Sequence, residues 1–206
     1  MVYYTLDIGN VEPGEFERIF DSYLPAAKHV AAQGVRFTIL SGSPVLEHDF
    51  SKSLELAERL SNETGVPTIP NTVAHINGLR AVGAKRVIIV SPFRRELDEK
   101  RSEVFKSEGL DVVHIEGLGL STNLEWSSLP PYESYRVAMA AVSKAPEADA
   151  INIPCPSWPV MRNIALIEKD SGLPVVSSFA SELFTALRAM QIRGPVTGFG
   201  SLLESL

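Results

Sequence analysis

The sequence predicts an α/β protein made of two pseudo-symmetric Rossmann-like lobes, with parallel sheets flanked by helices and the active-site cleft between the lobes. Two observations predict this fold class. Short β-branched runs alternate with longer segments of helical periodicity, and the two halves of the chain repeat one another. With 206 residues and 45% hydrophobic content, the chain is large enough to bury a core of ordinary globular size.

Six runs rich in β-branched residues predict the strands. They are residues 2–8, 35–40, 86–90, 112–115, 150–153 and 174–176. A longer segment of helical period follows each run. We therefore expect parallel strands that are joined and covered by helices.

Apolar residues at helical spacing predict the helices between these strands. The three clearest stripes are Val73, Ile76, Leu79 and Val82; Val160, Ile164 and Ile167; and Leu183, Leu187 and Met190. An amphipathic helix needs such a stripe to dock on its sheet. We therefore interpret these residues as core and assign them no chemistry.

An internal repeat relates the two halves of the chain. Each half has a strand that ends in a small-residue loop, a helix, a Gly-hydrophobic-Pro turn at Gly65 or Gly172, and a helix that carries Leu-Arg-Ala. The loop at 41–44 then corresponds to the loop at 155–158. Ligands of open α/β sheets bind beyond the carboxyl ends of the strands, where both loops lie.

The repeat predicts a first lobe over residues 1–92, whose last helix can exchange onto the other lobe, and a second lobe over residues 93–206. Pseudo-symmetry would place Gly42 and Cys155 at facing strand ends. A site between the lobes follows from this arrangement.

Charge and composition exclude several classes of partner. The net charge is −6 and there is no run of Lys or Arg, so we expect no nucleic-acid partner. No apolar stretch reaches about 18 residues, and the first residues lack a basic region before an apolar core, so we expect no membrane partner and a cytoplasmic location. These features are compatible with a homo-oligomer.

The sequence shows no motif for a cofactor or a metal. The glycines at 117–119 and 198–200 do not follow a strand and open a helix, as a dinucleotide fingerprint requires. The four histidines are dispersed, and one cysteine alone forms neither a disulfide framework nor a structural zinc site. We expect no cofactor and no metal, and a lone thiol fits a reducing cytoplasm.

Five segments, taken in order, carry a resemblance to a known family. They are SGSP at 41–44, TGVP at 64–67, AVGAKRVIIVSPF at 81–93, PCPSWP at 154–159 and GLPVVSS at 172–178. The chain resembles the aspartate/glutamate racemase superfamily, and within it the branch of arylmalonate decarboxylase and maleate isomerase. The resemblance implies two α/β lobes, no cofactor, and a small carboxylate substrate that commonly lies between one cysteine from each lobe.

This chain keeps only the second-lobe cysteine, Cys155, and has Gly42 at the position of the first. Racemases of this kind use two thiols, and maleate isomerase is thought to use the first-lobe cysteine as its nucleophile. Arylmalonate decarboxylase resembles this chain in having glycine there and one cysteine that protonates an enediolate after CO2 leaves. The resemblance therefore implies a decarboxylase-like lyase with Cys155 as the catalytic residue. A maleate isomerase or racemase-like enzyme and a non-catalytic carboxylate-binding descendant are the alternatives.

The chemistry of a thiol fits this role. The unperturbed pKa of a thiol is about 8.5, and a nearby helix N-terminus lowers it. A cysteine in that position can therefore exchange a proton near neutral pH. We expect Ser157 to cap the helix that follows Cys155. A buried cysteine often only fills space, but the position at a strand end and the resemblance favour a catalytic role.

The candidate substrate-binding residues lie in the same loops and strand ends. They are Ser41, Gly42, Ser43, Phe93, Pro156, Ser157, Ser177 and Ser178. Pro44 and Pro156 have no N–H to donate, and Phe93 and Phe179 replace a tyrosine and an asparagine of many relatives. We therefore expect serine hydroxyls and the Cys155 amide to supply hydrogen bonds in their place.

Other polar residues are weaker candidates for the active site. We interpret Arg94 and Arg95 as a solvated helix start, and His48 as a candidate acid or base. The Gly-, Ser- and Pro-containing stretch 117–135 predicts a long loop, with Trp126 and Tyr132 as candidate pocket walls. The resemblance also implies one more strand and a loop before the position of Val2, so that either the natural start lies upstream or the first lobe is reduced and the pocket altered.

Overall fold

The computed structural model describes residues 16–41 and 49–206. The strands are β1 Thr38–Leu40, β2 Thr68–Pro70, β3 Arg86–Phe93, β4 Asp111–Leu120, β5 Ala150–Ile153 and β6 Val175–Ser177. The α-helices are α1 Phe16–Ala31, α2 Phe50–Thr64, α3 Asn71–Ala81, α4 Arg95–Ser107, α5 Asn123–Ser127, α6 Glu133–Lys144, α7 Ile164–Ser171, α8 Ser178–Ala189 and α9 Ser201–Glu204, and a 3₁₀ helix spans Met161–Asn163. The predicted strand at 2–8 lies outside the described residues.

The described strands form two parallel sheets. β1 pairs with β2, and the second sheet has the order β4-β3-β5-β6. Helices connect successive strands, as parallel pairing requires. The predicted α/β class with parallel sheets flanked by helices is confirmed.

The chain divides into two compact units, Met1–Thr72 and Val73–Leu206. This division differs from the predicted lobes, 1–92 and 93–206, because β3 pairs with β4 and β5 and so joins the second unit. The core of the first unit contains Phe20, Leu40, Leu56, Ala57 and Leu60. In the second unit, the buried central strands β3 and β5 form the middle of the core.

The internal repeat is visible as two βαβ segments with matching hydrogen bonds. In β1-α2-β2, the helix ends at Gly65 (φ 69°), and the Thr68 amide donates to the Ser61 hydroxyl at 2.9 Å. In β5-α7-β6, the helix ends at Gly172 (φ 72°), and the Val175 amide donates to the Glu168 carboxylate at 2.8 Å. Both turns use the left-handed conformation that glycine adopts without strain.

Two stretches differ from the sequence-based predictions. Residues 117–120 belong to β4 rather than to a loop, because they pair with the end of β3, and α5 follows. β2 was not predicted from the sequence, because it has only three residues and ends at Pro70. Within residues 16–41 and 49–206, no helix is long and apolar enough to cross a membrane.

Gly200 gives a stability prediction for the second unit. Its φ is 95°, and an added Cβ would collide with the Ile164 side chain on α7. We expect Gly200→Ala to lower the free energy of unfolding by about 2–4 kcal/mol, because left-handed strain adds to overpacking. Urea unfolding followed by circular dichroism measures the change.

Gly198 provides the matched control for this substitution. Its φ is 87°, but an added Cβ there would meet no described heavy atom within 4 Å. Gly198→Ala should therefore show only the backbone strain, about 1–2 kcal/mol. Equal losses in the two variants would contradict the packing argument.

Candidate active site

A small pocket lies in the second unit at the carboxyl ends of β5 and β6. These strands are parallel neighbours, with Ile153 opposite Ser177. The pocket has a volume of about 200 Å³, and its lining consists of Cys155, Pro156, Trp158, Pro159, Val160, Met161, Arg162, Ser177 and Phe179. The structure thus brings together three of the predicted site residues: Cys155, Pro156 and Ser177.

Cys155 lies two residues beyond β5, in a tightly bonded turn. The side chain is 3% exposed. The Cys155 amide donates to the Ile153 carbonyl at 3.1 Å, and the Cys155 carbonyl accepts from the Trp158 amide at 3.4 Å. Since the Cys155 amide already has an acceptor and Pro156 has no N–H, the expectation that this amide binds substrate loses its support.

Ser177 is the last residue of β6 and the N-cap of α8. Its hydroxyl oxygen accepts from the Ala180 amide at 3.4 Å, and its O–H points to the Met161 sulfur at 3.6 Å. A thioether is a weak acceptor, so a bound oxygen can take this hydrogen at low cost. The positive end of the α8 dipole adds to the attraction for an anion.

Ser178, next in the chain, turns away from the pocket into a buried polar network. Its hydroxyl contacts His75 Nε2 at 3.0 Å, and Asn152 Nδ2 donates to His75 Nδ1 at 2.8 Å. The donated bond leaves Nδ1 as the acceptor, so Nε2 carries the hydrogen and donates to Ser178. Asn152 also donates to the Val176 carbonyl at 3.0 Å. The network therefore ties the ends of β5 and β6 to α3.

The network makes His75 an acid-sensitive element of the fold. Burial, with a smaller contribution from the nearby Arg101 charge, holds the pKa of His75 well below its usual 6.5. As the pH falls below about 6.5, His75 takes up a proton in the unfolded state and stays neutral in the folded state. Stability is therefore full above about pH 6.5 and falls below it, by up to about 1.4 kcal/mol per pH unit.

We expect His75→Gln to flatten this pH dependence between about pH 7.5 and 5.5, while lowering stability at pH 7.5 by about 1–3 kcal/mol through weakened buried hydrogen bonds. Urea unfolding midpoints across this range test the expectation. His29 is exposed on α1, and His29→Gln is the control. A His75→Gln profile parallel to that of the wild type would contradict the assignment.

Most of the pocket wall is apolar. The side chains of Trp158, Val160, Met161 and Phe179 line it together with Pro156 and Pro159. Val160 matched the core stripe in the sequence, and it is buried as well as lining the pocket. The pocket thus suits an apolar substituent, with polar groups at Ser177 and Arg162.

The remaining predicted site residues lie elsewhere. Among the described residues, the pocket lining does not include Ser157, and the helical segment after Cys155 begins only at Met161, so Ser157 is not its cap. Phe93 is buried against Trp126, with ring centroids 4.8 Å apart. Ser41 follows β1 in the first unit and is exposed.

Gly42, Ser43, Pro44 and His48 fall outside the described residues. Their predicted places in the site stay predictions. Arg94 and Arg95 are exposed, and Arg95 pairs with Glu99 at 2.7 Å, in agreement with a solvated helix start. Among the described residues, no three His, Cys, Asp or Glu side chains form a group that suits a metal ion.

Comparisons with known proteins bear on this site. A family model described as arylmalonate decarboxylase matches residues 3–203. The chain is 25% identical over 186 residues to arylmalonate decarboxylase from Bordetella bronchiseptica, which covers 89% of this chain and 77% of that protein. It is 28% identical over 193 residues to maleate isomerase from Nocardia farcinica (strain IFM 10152), which covers 91% and 74%.

A solved structure agrees with these matches. The crystal structure of the maleate isomerase Iso from Pseudomonas putida S16 superposes with a TM-score of 0.86 at 25% identity, covering 97% of this chain and 82% of that chain. The curated relatives are enzymes, a decarboxylase and an isomerase. Because the family match spans nearly the whole sequence, the chain belongs to the arylmalonate decarboxylase family.

Proposed function

We propose that this protein is a cofactor-independent lyase that removes CO2 from a small malonate-type acid, and that Cys155 protonates the resulting enediolate. The observation that carries the proposal is the position of Cys155 in the wall of a pocket at the carboxyl end of β5. At about 200 Å³ the pocket is smaller than the roughly 300–1,000 Å³ of sites for drug-sized ligands, which fits a small acid.

The proposed reaction balances without a redox partner. The bond from the central carbon to one carboxylate breaks, CO2 leaves, and the electron pair stays on the carbon as an enediolate with the retained carboxylate. The Cys155 S–H gives its proton to that carbon, and solvent reprotonates the thiolate. The product is a monocarboxylate with one new C–H bond.

Ser177 is the residue best suited to stabilise the enediolate. Charge grows on the oxygens of the retained carboxyl group as CO2 leaves, so a hydroxyl directed at them lowers the barrier. The weak contact to Met161 leaves the Ser177 hydrogen available for this hydrogen bond. The positive N-terminus of α8 adds to the stabilisation of the negative charge.

The apolar wall favours a substituted malonate as substrate. A malonate can carry an aryl or alkyl group, and Trp158, Met161 and Phe179 offer a matching surface. Maleate has two carboxylates and no apolar substituent, so it gains less from this wall. The low exposure of Cys155 also limits competition from water for the carbon.

Maleate isomerisation is the second candidate, favoured by the 28% identity to maleate isomerase. In that case the Cys155 thiolate would add to the double bond, the new single bond would rotate, and elimination would return the thiolate and release fumarate. This route also needs only one thiol.

Turnover in D2O separates the two reactions. We expect phenylmalonate to give CO2 and phenylacetate with one deuteron on the new C–H position, detected by ¹H NMR, and maleate to remain unchanged. Conversion of maleate to fumarate without CO2 would replace the proposal with the isomerase. If a panel of aryl- and alkylmalonates and maleate all stay unreacted, although phenylacetate binds, the lyase proposal fails in favour of a carboxylate-binding protein.

A further inference from the structure

The described pocket lining has few polar side chains: the Ser177 hydroxyl, the Trp158 indole N–H, which is buried without a hydrogen-bond partner among the described residues, and the Arg162 guanidinium. The Cys155 amide donates to the Ile153 carbonyl, and Pro156 and Pro159 have no N–H. Ser177 supplies one hydroxyl hydrogen, which the proposed reaction uses on the enediolate. A substrate carboxylate carries a full negative charge and loses water when it enters, so it needs a further, stronger partner.

Arg162 is the one cationic side chain in the described lining. It belongs to the 3₁₀ helix Met161–Asn163, just before α7, and it is exposed at the pocket. It makes no hydrogen bond or ion pair with any described residue. Several other exposed arginines are already paired, such as Arg80 with Glu108 at 2.8 Å and Arg136 with Glu133. The guanidinium of Arg162 is therefore available to a ligand.

We propose that Arg162 is a specificity-determining residue that recognises the retained carboxylate of the substrate. The pocket then selects small acids that join one carboxylate, on Arg162, to an apolar group, on the wall formed by Trp158, Met161 and Phe179. A guanidinium presents parallel N–H donors that match a carboxylate, and the pair is stronger next to apolar walls than in open water. The inference rests on the proposed function only in taking this pocket as the substrate site.

Binding of a product-like probe tests Arg162 apart from turnover. Phenylacetate is the charged probe and phenylacetamide its uncharged counterpart. Calorimetry, or the tryptophan fluorescence to which Trp158 in the pocket wall contributes, reports the Kd of each. We expect Arg162→Gln to weaken phenylacetate binding roughly tenfold to a hundredfold, the usual worth of a charge-assisted hydrogen bond, and to leave phenylacetamide unchanged. Arg162→Lys should restore part of the loss, because the charge remains without the fork.

Arg193→Gln is the matched control. Arg193 is also exposed in the second unit, makes no hydrogen bond or ion pair with a described residue, and lies outside the described pocket lining. Its substitution removes the same charge, so a general electrostatic effect would appear in both variants. We expect it to leave both Kd values unchanged.

Binding of phenylacetate to the wild type should also weaken with salt more steeply than binding to Arg162→Gln.

The outcomes distinguish this inference from the proposed function. An unchanged ratio of the two Kd values in Arg162→Gln, or a wild type that does not prefer phenylacetate to phenylacetamide, overturns the role of Arg162 even if malonates are decarboxylated. A lost preference in Arg162→Gln supports the role even if no malonate is turned over, and in that case only the lyase proposal fails.

Discussion

Cys155→Ser should lower kcat for malonate decarboxylation by about 10²–10⁴-fold while the protein stays folded. Serine is close to cysteine in size, but its hydroxyl is a far weaker acid, so it cannot deliver the proton to carbon at a comparable rate. The substrate contacts proposed for Ser177 and Arg162 are left in place. The KM, and the Kd for phenylacetate, should therefore change much less than kcat.

Two further variants protect this test from a trivial failure. Cys155→Ala removes the proton donor without introducing a buried hydroxyl, and it should lose as much turnover as Cys155→Ser. Met161→Leu changes another side chain of the lining while keeping its volume and apolar character, and it should retain most activity. Circular dichroism and phenylacetate binding establish that each variant is folded. Undiminished turnover in either Cys155 variant would show that the thiol only fills space.

The predictability of the fold depended on the length of each strand and on its pairing. β5 was predicted at its observed bounds because a buried central strand reads as one apolar run. The extension of β4 through residues 117–120 was missed, since those residues look like a loop and only their pairing with the end of β3 makes them a strand. Local composition does not contain that information.

The site was predictable at its strand ends and not in its walls. Cys155 lies two residues beyond the buried strand β5 and Ser177 ends β6, and parallel strands bring their carboxyl ends together. Ser178 follows Ser177, but helical geometry turns successive side chains about 100° apart, and Ser178 meets His75 instead. Arg162 and Met161 face the pocket through the path of the loop after Cys155, which no periodicity in the sequence indicates.

A second large effect is expected at a buried carboxylate that is not part of the described pocket lining. Asp98 on α4 is fully buried and accepts from the Ser91 hydroxyl at 2.6 Å, and that hydroxyl oxygen in turn accepts from the Phe93 amide at 3.1 Å. Arg101 lies three residues further on the same helix and is 3% exposed. Residues three apart share a helix face, so we expect the two opposite charges to lie in one buried region and to offset one another.

Asp98→Asn should lower the free energy of unfolding by about 3–5 kcal/mol, because it keeps the shape of the side chain but leaves the Arg101 charge buried without its compensation. That is a large part of the total for a domain, typically about 5–15 kcal/mol. Urea unfolding monitored by circular dichroism measures it. Glu96→Gln removes an exposed carboxylate from the first turn of the same helix and should cost less than about 0.5 kcal/mol.

The double variant Asp98→Leu/Arg101→Met decides whether charge compensation is the cause. Breaking one partner leaves a desolvated ion, whereas replacing both by apolar groups removes the desolvation penalty together with the attraction. We therefore expect the double variant to lose less stability than the sum of the losses in Asp98→Leu and Arg101→Met, and the difference is a coupling energy of about 1–3 kcal/mol. If the losses of the two single variants simply add, Asp98 acts only through the Ser91 hydroxyl. The loss in Asp98→Asn should then be that of one hydrogen bond, about 1 kcal/mol.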